Sequence, residues 1–146
     1  MKRLLLDVNV ILDVLFERPG HSMAGALWKA SEEKRLDALL PAHGVTTVFY
    51  LASRERDASF ARAAVGDLLS AFGVAEVTGA VLRRALTLGW PDFEDAVCAA
   101  AAEAARCDAI VTRDPSGFPR SPVEVFDPPM AVAWLVESEG PEGSGE

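Results

Sequence analysis

The sequence has few of the residues that build disulfides and zinc sites, and it has no long apolar run. It contains 2 cysteines and 2 histidines among 146 residues. Because Cys98 and Cys107 have no metal-binding partners near them in sequence, we expect both to be small buried hydrophobic residues. No apolar run approaches the roughly 18 residues of a membrane span. We therefore expect a soluble, cytoplasmic protein that has no membrane partner.

Basic residues are also scarce, with 14 Lys and Arg against 22 Asp and Glu and a formal net charge of −8. Such a protein does not attract a phosphate backbone at long range, so any contact with nucleic acid must come from local patches. Half of the residues are hydrophobic, which excludes disorder for most of the chain. The sequence predicts one domain over residues 1–137 and a disordered acidic Gly/Ser/Glu tail over residues 138–146.

Short apolar runs alternate with stretches of helical periodicity along the chain. The runs at residues 3–6, 37–40, 74–77, 108–112 and 123–126 are predicted strands. The stretches predicted as helices are residues 8–16, 22–34, 43–55, 57–72, 79–88, 92–106 and 127–136. This alternation predicts an α/β fold, a three-layer α/β/α sandwich with a central parallel sheet of four or five strands.

Acidic residues follow or flank the predicted strands at one edge of this sheet. The first strand ends at Asp7, the fourth strand leads into Asp114, and the helix before the fourth strand carries Asp95 in its first turn. Sites on open parallel sheets lie beyond the carboxyl ends of the strands. If the first and fourth strands are neighbours, Asp7 and Asp114 are close enough to share a cation. Carboxylates without a His or Cys cluster suit Mg²⁺ or Mn²⁺, and the expected chemistry is metal-assisted hydrolysis of a phosphate ester.

Each acid alone also has a structural explanation. Asp7 can cap the following helix, Asp95 can interact with a helix dipole, and Asp114 can begin a turn at Pro115. The expected convergence of all three favours a site. His21 and His43 have no second histidine or acid at ligand spacing, so surface or capping roles are predicted for both.

Three motifs, in this order and spacing, resemble those of PIN-domain proteins. They are LLLDVNVIL at residues 4–12, DFEDAV at residues 92–97, and IVTRD at residues 110–114 followed by Phe118. The resemblance extends to about residue 136. It implies an α/β/α nuclease that cuts single-stranded RNA with Mg²⁺ or Mn²⁺ and that, in many members, is the toxin of a VapBC-type toxin–antitoxin pair. An antitoxin protein partner and a homodimer are implied in the same way.

The resemblance also implies roles for individual residues. By position, Asp7, Asp95 and Asp114 are the catalytic, metal-binding acids, and Asn9 and Thr112 are their polar supports. Arg113, beside Asp114, is a candidate RNA contact.

The chain departs from the family pattern in the helix after the second strand. Most members have a glutamate there, whereas residues 44–50 contain no acid. Asp92, about one helical turn before Asp95, is therefore a candidate fourth metal ligand. The other candidates are Glu55 and the hydroxyl side chains of Thr46, Thr47 and Tyr50.

Two other functions stay open. A non-catalytic PIN domain acting in RNA binding or protein assembly is favoured by the missing glutamate and the negative charge. Asp7-Val-Asn9 also resembles the aspartyl-phosphate motif of haloacid-dehalogenase-like phosphatases, in which an Asp is the nucleophile and an acid lies two residues on. Asn9 occupies the place of that second acid, and no lysine follows Arg35, so this alternative ranks below the other.

Overall fold

The computed structural model of the protein describes residues 1–139. Most of the predicted acidic tail, residues 140–146, lies outside the described residues. The last helix extends to Ser138, and Glu139 pairs with Arg35, with 3.0 Å between Oε2 and Nε. No helix within residues 1–139 is long and apolar enough to span a membrane.

The described residues form one five-stranded parallel sheet with helices on both faces. The strands are β1 (Arg3–Leu6), β2 (Asp37–Pro41), β3 (Gly73–Ala75), β4 (Ala109–Val111) and β5 (Glu124–Phe126). The helices are α1 (Val8–Leu15), α2 (His21–Glu32), α3 (Ala42–Glu55), α4 (Ala58–Ala71), α5 (Gly79–Leu88), α6 (Phe93–Ala104) and α7 (Pro128–Ser138), and a 3₁₀ turn at Pro115–Gly117 follows β4. The strand order is β3-β2-β1-β4-β5. The predicted α/β/α sandwich is confirmed. The first and fourth strands are neighbours, which is the condition on which the expected closeness of Asp7 and Asp114 depends.

Two cores lie on opposite faces of the sheet. Leu4 and Leu6 belong to one core with residues of α1, α2, α3, α4 and α7, whereas Leu5 and Ile110 belong to the other with residues of α5 and α6. Successive side chains of a strand point to opposite faces. Because both faces of β1 are covered, an uninterrupted run of leucines is buried there instead of an alternating pattern.

Helix α6 packs closely on the sheet because its inner residues are small. All seven residues from Ala96 to Ala102 are buried. Five of them are alanine, and the other two are Val97 and Cys98. The N-cap of the helix is Asp92, whose carboxylate accepts a hydrogen bond from the amide of Asp95 at 3.1 Å. This cap fixes where α6 begins and therefore where Asp95 stands.

Replacing a buried alanine of α6 tests this close packing. Ala99→Leu should lower the free energy of unfolding by about 2 kcal/mol, because the added carbons must be accommodated at a fully buried position. Ala104→Leu, at an exposed position of the same helix, should change it by no more than about 0.5 kcal/mol. Urea denaturation of both variants measures the difference, and equal effects would show that α6 is not tightly packed.

Candidate functional site

The candidate site begins at the carboxyl ends of two neighbouring strands. The amide of Asp7 donates to the carbonyl of Val111 at 2.9 Å, which continues the pairing of β1 with β4. The Thr112 hydroxyl donates to Oδ2 of Asp7 at 3.0 Å, and the side-chain amide of Asn9 donates to the same oxygen at 3.3 Å. Asp7 stands at the N-cap of α1 but makes no side-chain cap bond. Its carboxylate is thus held by the two predicted polar supports and does not cap the helix.

The same two supports connect Asp7 to the loop that carries Asp114. Asn9 Nδ2 also donates to Thr112 Oγ1 at 3.2 Å, and Asn9 Oδ1 accepts from the amide of Arg113 at 3.2 Å. The amide of Asp114 donates to Thr112 Oγ1 at 3.3 Å. One network of hydrogen bonds therefore orients the first and the third of the predicted acids together.

Asp95 and Asp114 meet across Gly117. A methyl group added at Gly117 would lie 3.4 Å from Oδ2 of Asp95 and 3.8 Å from Oδ2 of Asp114. The Ser116 hydroxyl donates to the other oxygen of Asp114, Oδ1, at 2.6 Å. The missing side chain at residue 117 leaves the gap between the two carboxylates open.

The pKa shifts of Asp95 and Asp7 reflect their burial and the nearby acids. Burial is the main cause that raises the pKa of Asp95 to about 7, and the charges of Asp7 and Asp92 raise it further. Burial also raises the pKa of Asp7, while the hydrogen bond from Thr112 acts in the opposite direction. Carboxylates that repel one another at partly buried positions favour a bound cation.

Helix α3 forms another side of the site. A cavity of about 50 Å³ is lined by Asp7, Val8, Pro41, His43, Gly44, Thr47, Glu94, Asp95 and Cys98. The helix approaches α1 closely at Gly44. A methyl group added there would lie only 3.0 Å from Cγ1 of Val8. The residues that α3 contributes are a histidine, a glycine and a threonine, with no acid among them.

His43 lies at the candidate site, although the sequence analysis did not predict it there. It lines the cavity together with Asp7 and Asp95, and its Nδ1 is buried without a hydrogen-bond partner. The predicted surface or capping role does not describe this position. The available signal was its place two residues after β2, at the edge of the sheet where Asp7 follows β1.

Two further predicted residues also make structural contacts. The exposed side chain of Asp92 caps α6, although its charge also acts on Asp95. Arg113, predicted to contact RNA, forms an ion pair with Asp13, whose side chain is only 4% exposed while that of Arg113 is 50% exposed. The pair ties the loop that carries Asp114 to α1.

The three acids lie along one edge of the sheet but do not line a single cavity. Within residues 1–139, no three His, Cys, Asp or Glu side chains are arranged so that together they could hold a metal ion. Asp7 and Asp95 share the cavity, and Asp95 and Asp114 share the gap at Gly117. Asp95 is therefore the link between the two halves of the site.

Comparison with known proteins identifies the family. A sequence model of the PIN domain matches residues 3–116. The chain belongs to the PIN-domain family. The matched segment contains Asp7, Asp95 and Asp114. No curated protein sequence matches this PIN domain.

Solved structures share the fold of this PIN domain. VapBC2 from Rickettsia felis, solved with a DNA fragment of its promoter, is 15% identical, with 86% of this chain and 98% of that chain covered and a TM-score of 0.69. A toxin–antitoxin complex from Klebsiella pneumoniae is 21% identical, with coverages of 85% and 96% and a TM-score of 0.64. VapC20 from Mycobacterium tuberculosis, a toxin that cleaves the sarcin–ricin loop, is 16% identical, with coverages of 78% and 92% and a TM-score of 0.64.

Asp95→Asn should stabilise the metal-free PIN domain, increasingly so as the pH rises from 4 to 7. The folded-state pKa of Asp95 is about 7 and its ordinary value is 3.8, so ionisation costs the folded state stability throughout this range. The side-chain amide of the asparagine carries no charge at any of these pH values, so the variant avoids this cost. We expect a gain of about 1 kcal/mol at pH 8, after allowance for solvent screening of a partly exposed group. Urea denaturation in EDTA at several pH values measures it, and a gain that shrinks with rising pH would contradict the assignment.

Arg113→Ala should lower the free energy of unfolding by about 2 kcal/mol, because it leaves the buried Asp13 carboxylate without its partner. Arg84→Ala is the matched control, since Arg84 pairs with Glu103 where both side chains are exposed. The control should lose less than about 1 kcal/mol. Thermal or urea unfolding compares the two variants, and equal losses would mean that Asp13 does not depend on Arg113.

Proposed function

We propose that this PIN domain is a Mg²⁺- or Mn²⁺-dependent endoribonuclease that hydrolyses single-stranded RNA and acts as the toxin of a toxin–antitoxin pair. The observation that carries the proposal is the grouping of Asp7, Asp95 and Asp114 at the carboxyl edge of β1 and β4. Family membership and the similar fold of VapC20, a toxin that cleaves the sarcin–ricin loop, support it.

The donor atoms available at the site fit a hard divalent ion. Carboxylate oxygens are the ligands that Mg²⁺ and Mn²⁺ prefer, and Mg²⁺ usually keeps several water ligands. Because the three acids stand apart, we propose that Asp7 and Asp95 hold the ion, with Asp114 reaching it across the gap at Gly117. When bound, the ion polarises a phosphoryl oxygen and activates water for attack on phosphorus.

The chain's own residues prepare this site. Thr112 and Asn9 hold Oδ2 of Asp7, so the carboxylate keeps one orientation before any ligand arrives. The Ser116 hydroxyl does the same for Asp114. Arg113 stays the proposed RNA contact, because half of its side chain is exposed beside Asp114 while Asp13 holds the guanidinium in place.

The proposed partners follow from the relatives. The structure from Klebsiella pneumoniae is a toxin–antitoxin complex, and the one from Rickettsia felis is VapBC2. We propose an antitoxin protein that binds this chain. We propose a homodimer as the oligomeric state on the resemblance to the family.

A non-catalytic PIN domain is the second candidate. The observation that favours it is the absence of an acid from residues 42–54 of α3, the helix that faces the cavity. The phosphatase alternative is weaker, because Asn9 donates to Asp7 where that chemistry requires a second acid.

Cleavage of a labelled single-stranded RNA panel decides between the nuclease and the non-catalytic candidate. Wild type with Mn²⁺ or Mg²⁺ should cut, and either EDTA or Asp7→Asn should reduce the rate at least about 100-fold, because the amide is a poor ligand for a hard ion. Asp67→Asn, at an exposed position of α4, is the matched control and should cut like wild type.

All of these proteins are purified identically, since a contaminating ribonuclease is the main hazard. Equal cutting by wild type and Asp7→Asn would identify a contaminant. That result, or no cutting by either protein, would favour the non-catalytic candidate.

A further inference from the structure

His43 has a buried polar atom that no protein group satisfies. Its Nδ1 lies buried without a hydrogen-bond partner among the described residues. Buried polar atoms in native proteins are almost always paired with protein, with ordered water or with an ion. A partner from outside the chain is therefore expected at Nδ1.

The position of His43 indicates what that partner is. The residue lines the same cavity of about 50 Å³ as Asp7 and Asp95. A cavity of this size holds a few water molecules and is too small for a nucleotide. It stands beside the acids to which the proposed metal ion is assigned.

The hydrogen-bonding chemistry of the cavity indicates which group can pair with Nδ1 of His43. A bound cation would keep Asp7 and Asp95 ionised, and ionised carboxylates accept hydrogen bonds without donating them, so neither could then donate to an imidazole nitrogen. If Nδ1 carried the proton, these carboxylates would be its natural acceptors, yet neither is bonded to it. A water molecule bound to a divalent ion is a strong donor that meets the requirement.

We propose that His43 is the contribution of α3 to the metal site, with Nδ1 accepting a hydrogen bond from a water ligand of the ion held by Asp7 and Asp95. The inference rests on the proposed function, because it requires that ion. His43 is thus a positioning residue that acts through water, and it occupies the side of the site where most family members have a glutamate.

The two histidines of the chain allow a direct test. His21 is the internal control, since its Nδ1 lies 2.9 Å from the carbonyl of Arg18 at an exposed position. Helix α1 runs away from Asp7 for eight residues, about 12 Å, before the chain turns into α2 at His21. In protein labelled with ¹⁵N-histidine, a few per cent of Mn²⁺ should broaden the imidazole signals of His43 and leave those of His21 sharp. Broadening of both, or of neither, overturns the inference.

Substitutions of His43 test the proposed hydrogen bond between Nδ1 and the water ligand through their effect on Mn²⁺ binding. His43→Ala should weaken Mn²⁺ binding at least about tenfold by calorimetry, as expected when a group that orders a metal's ligands is removed. His43→Asn, whose side-chain oxygen can replace Nδ1 as acceptor, should stay within about threefold of wild type, and His21→Ala should match wild type. Because Nδ1 has no protein partner to lose, His43→Ala should fold normally in EDTA. Unchanged binding in His43→Ala, or equal weakening in His43→Asn, contradicts the proposal.

Asp7→Asn separates this inference from the function on which it rests. If wild type binds Mn²⁺, Asp7→Asn does not, and His43→Ala binds like wild type, only the role of His43 is overturned. If wild type fails to bind Mn²⁺, or Asp7→Asn binds it equally well, the proposed metal site and the role of His43 are both overturned.

Discussion

The pairing of β1 with β4 is the constraint on which the site depends. In the register of this pair Leu6 lies opposite Val111, so the next residues, Asp7 and Thr112, emerge side by side. The Thr112 hydroxyl can then donate to the Asp7 carboxylate and accept from the amide of Asp114. A shift of one residue would turn the buried leucines of β1 to the wrong cores and would also separate this pair of side chains. The hydrophobic register therefore determines the polar geometry.

A site made of acids works against the stability of the fold that carries it. Burial and mutual repulsion raise the pKa of Asp95 to about 7, so the ionised carboxylate is a cost to the metal-free protein. The close approach is possible because small residues stand where other side chains would intervene, with the alanines of α6 against the sheet and Gly117 between two carboxylates. The two apolar cores offset that cost.

The sequence was sufficient for features that depend on local pattern and strand order. Apolar runs between helical stretches predicted the parallel sheet, and their ends located Asp7 and Asp114 at one edge. The ion pair of Arg113 and the burial of His43 Nδ1 could not be predicted in this way, because each depends on a contact made through the fold. Arg113 meets Asp13 of α1, 100 residues earlier in the chain, and His43 reaches the cavity only because α3 packs against α1 at Gly44. Neither contact leaves a periodic signal in the sequence.

The charge of the molecule bears on how RNA could approach. The chain carries a net charge of −8, and the proposed site adds a local concentration of carboxylates at Asp7, Asp92 and Asp95. A phosphodiester meets repulsion at such an edge unless a cation first neutralises it. The proposed ion would therefore also be a condition for binding the proposed RNA substrate. An imidazole on α3 in place of another carboxylate adds no negative charge to this edge, so the absence of a glutamate there does not by itself argue against catalysis.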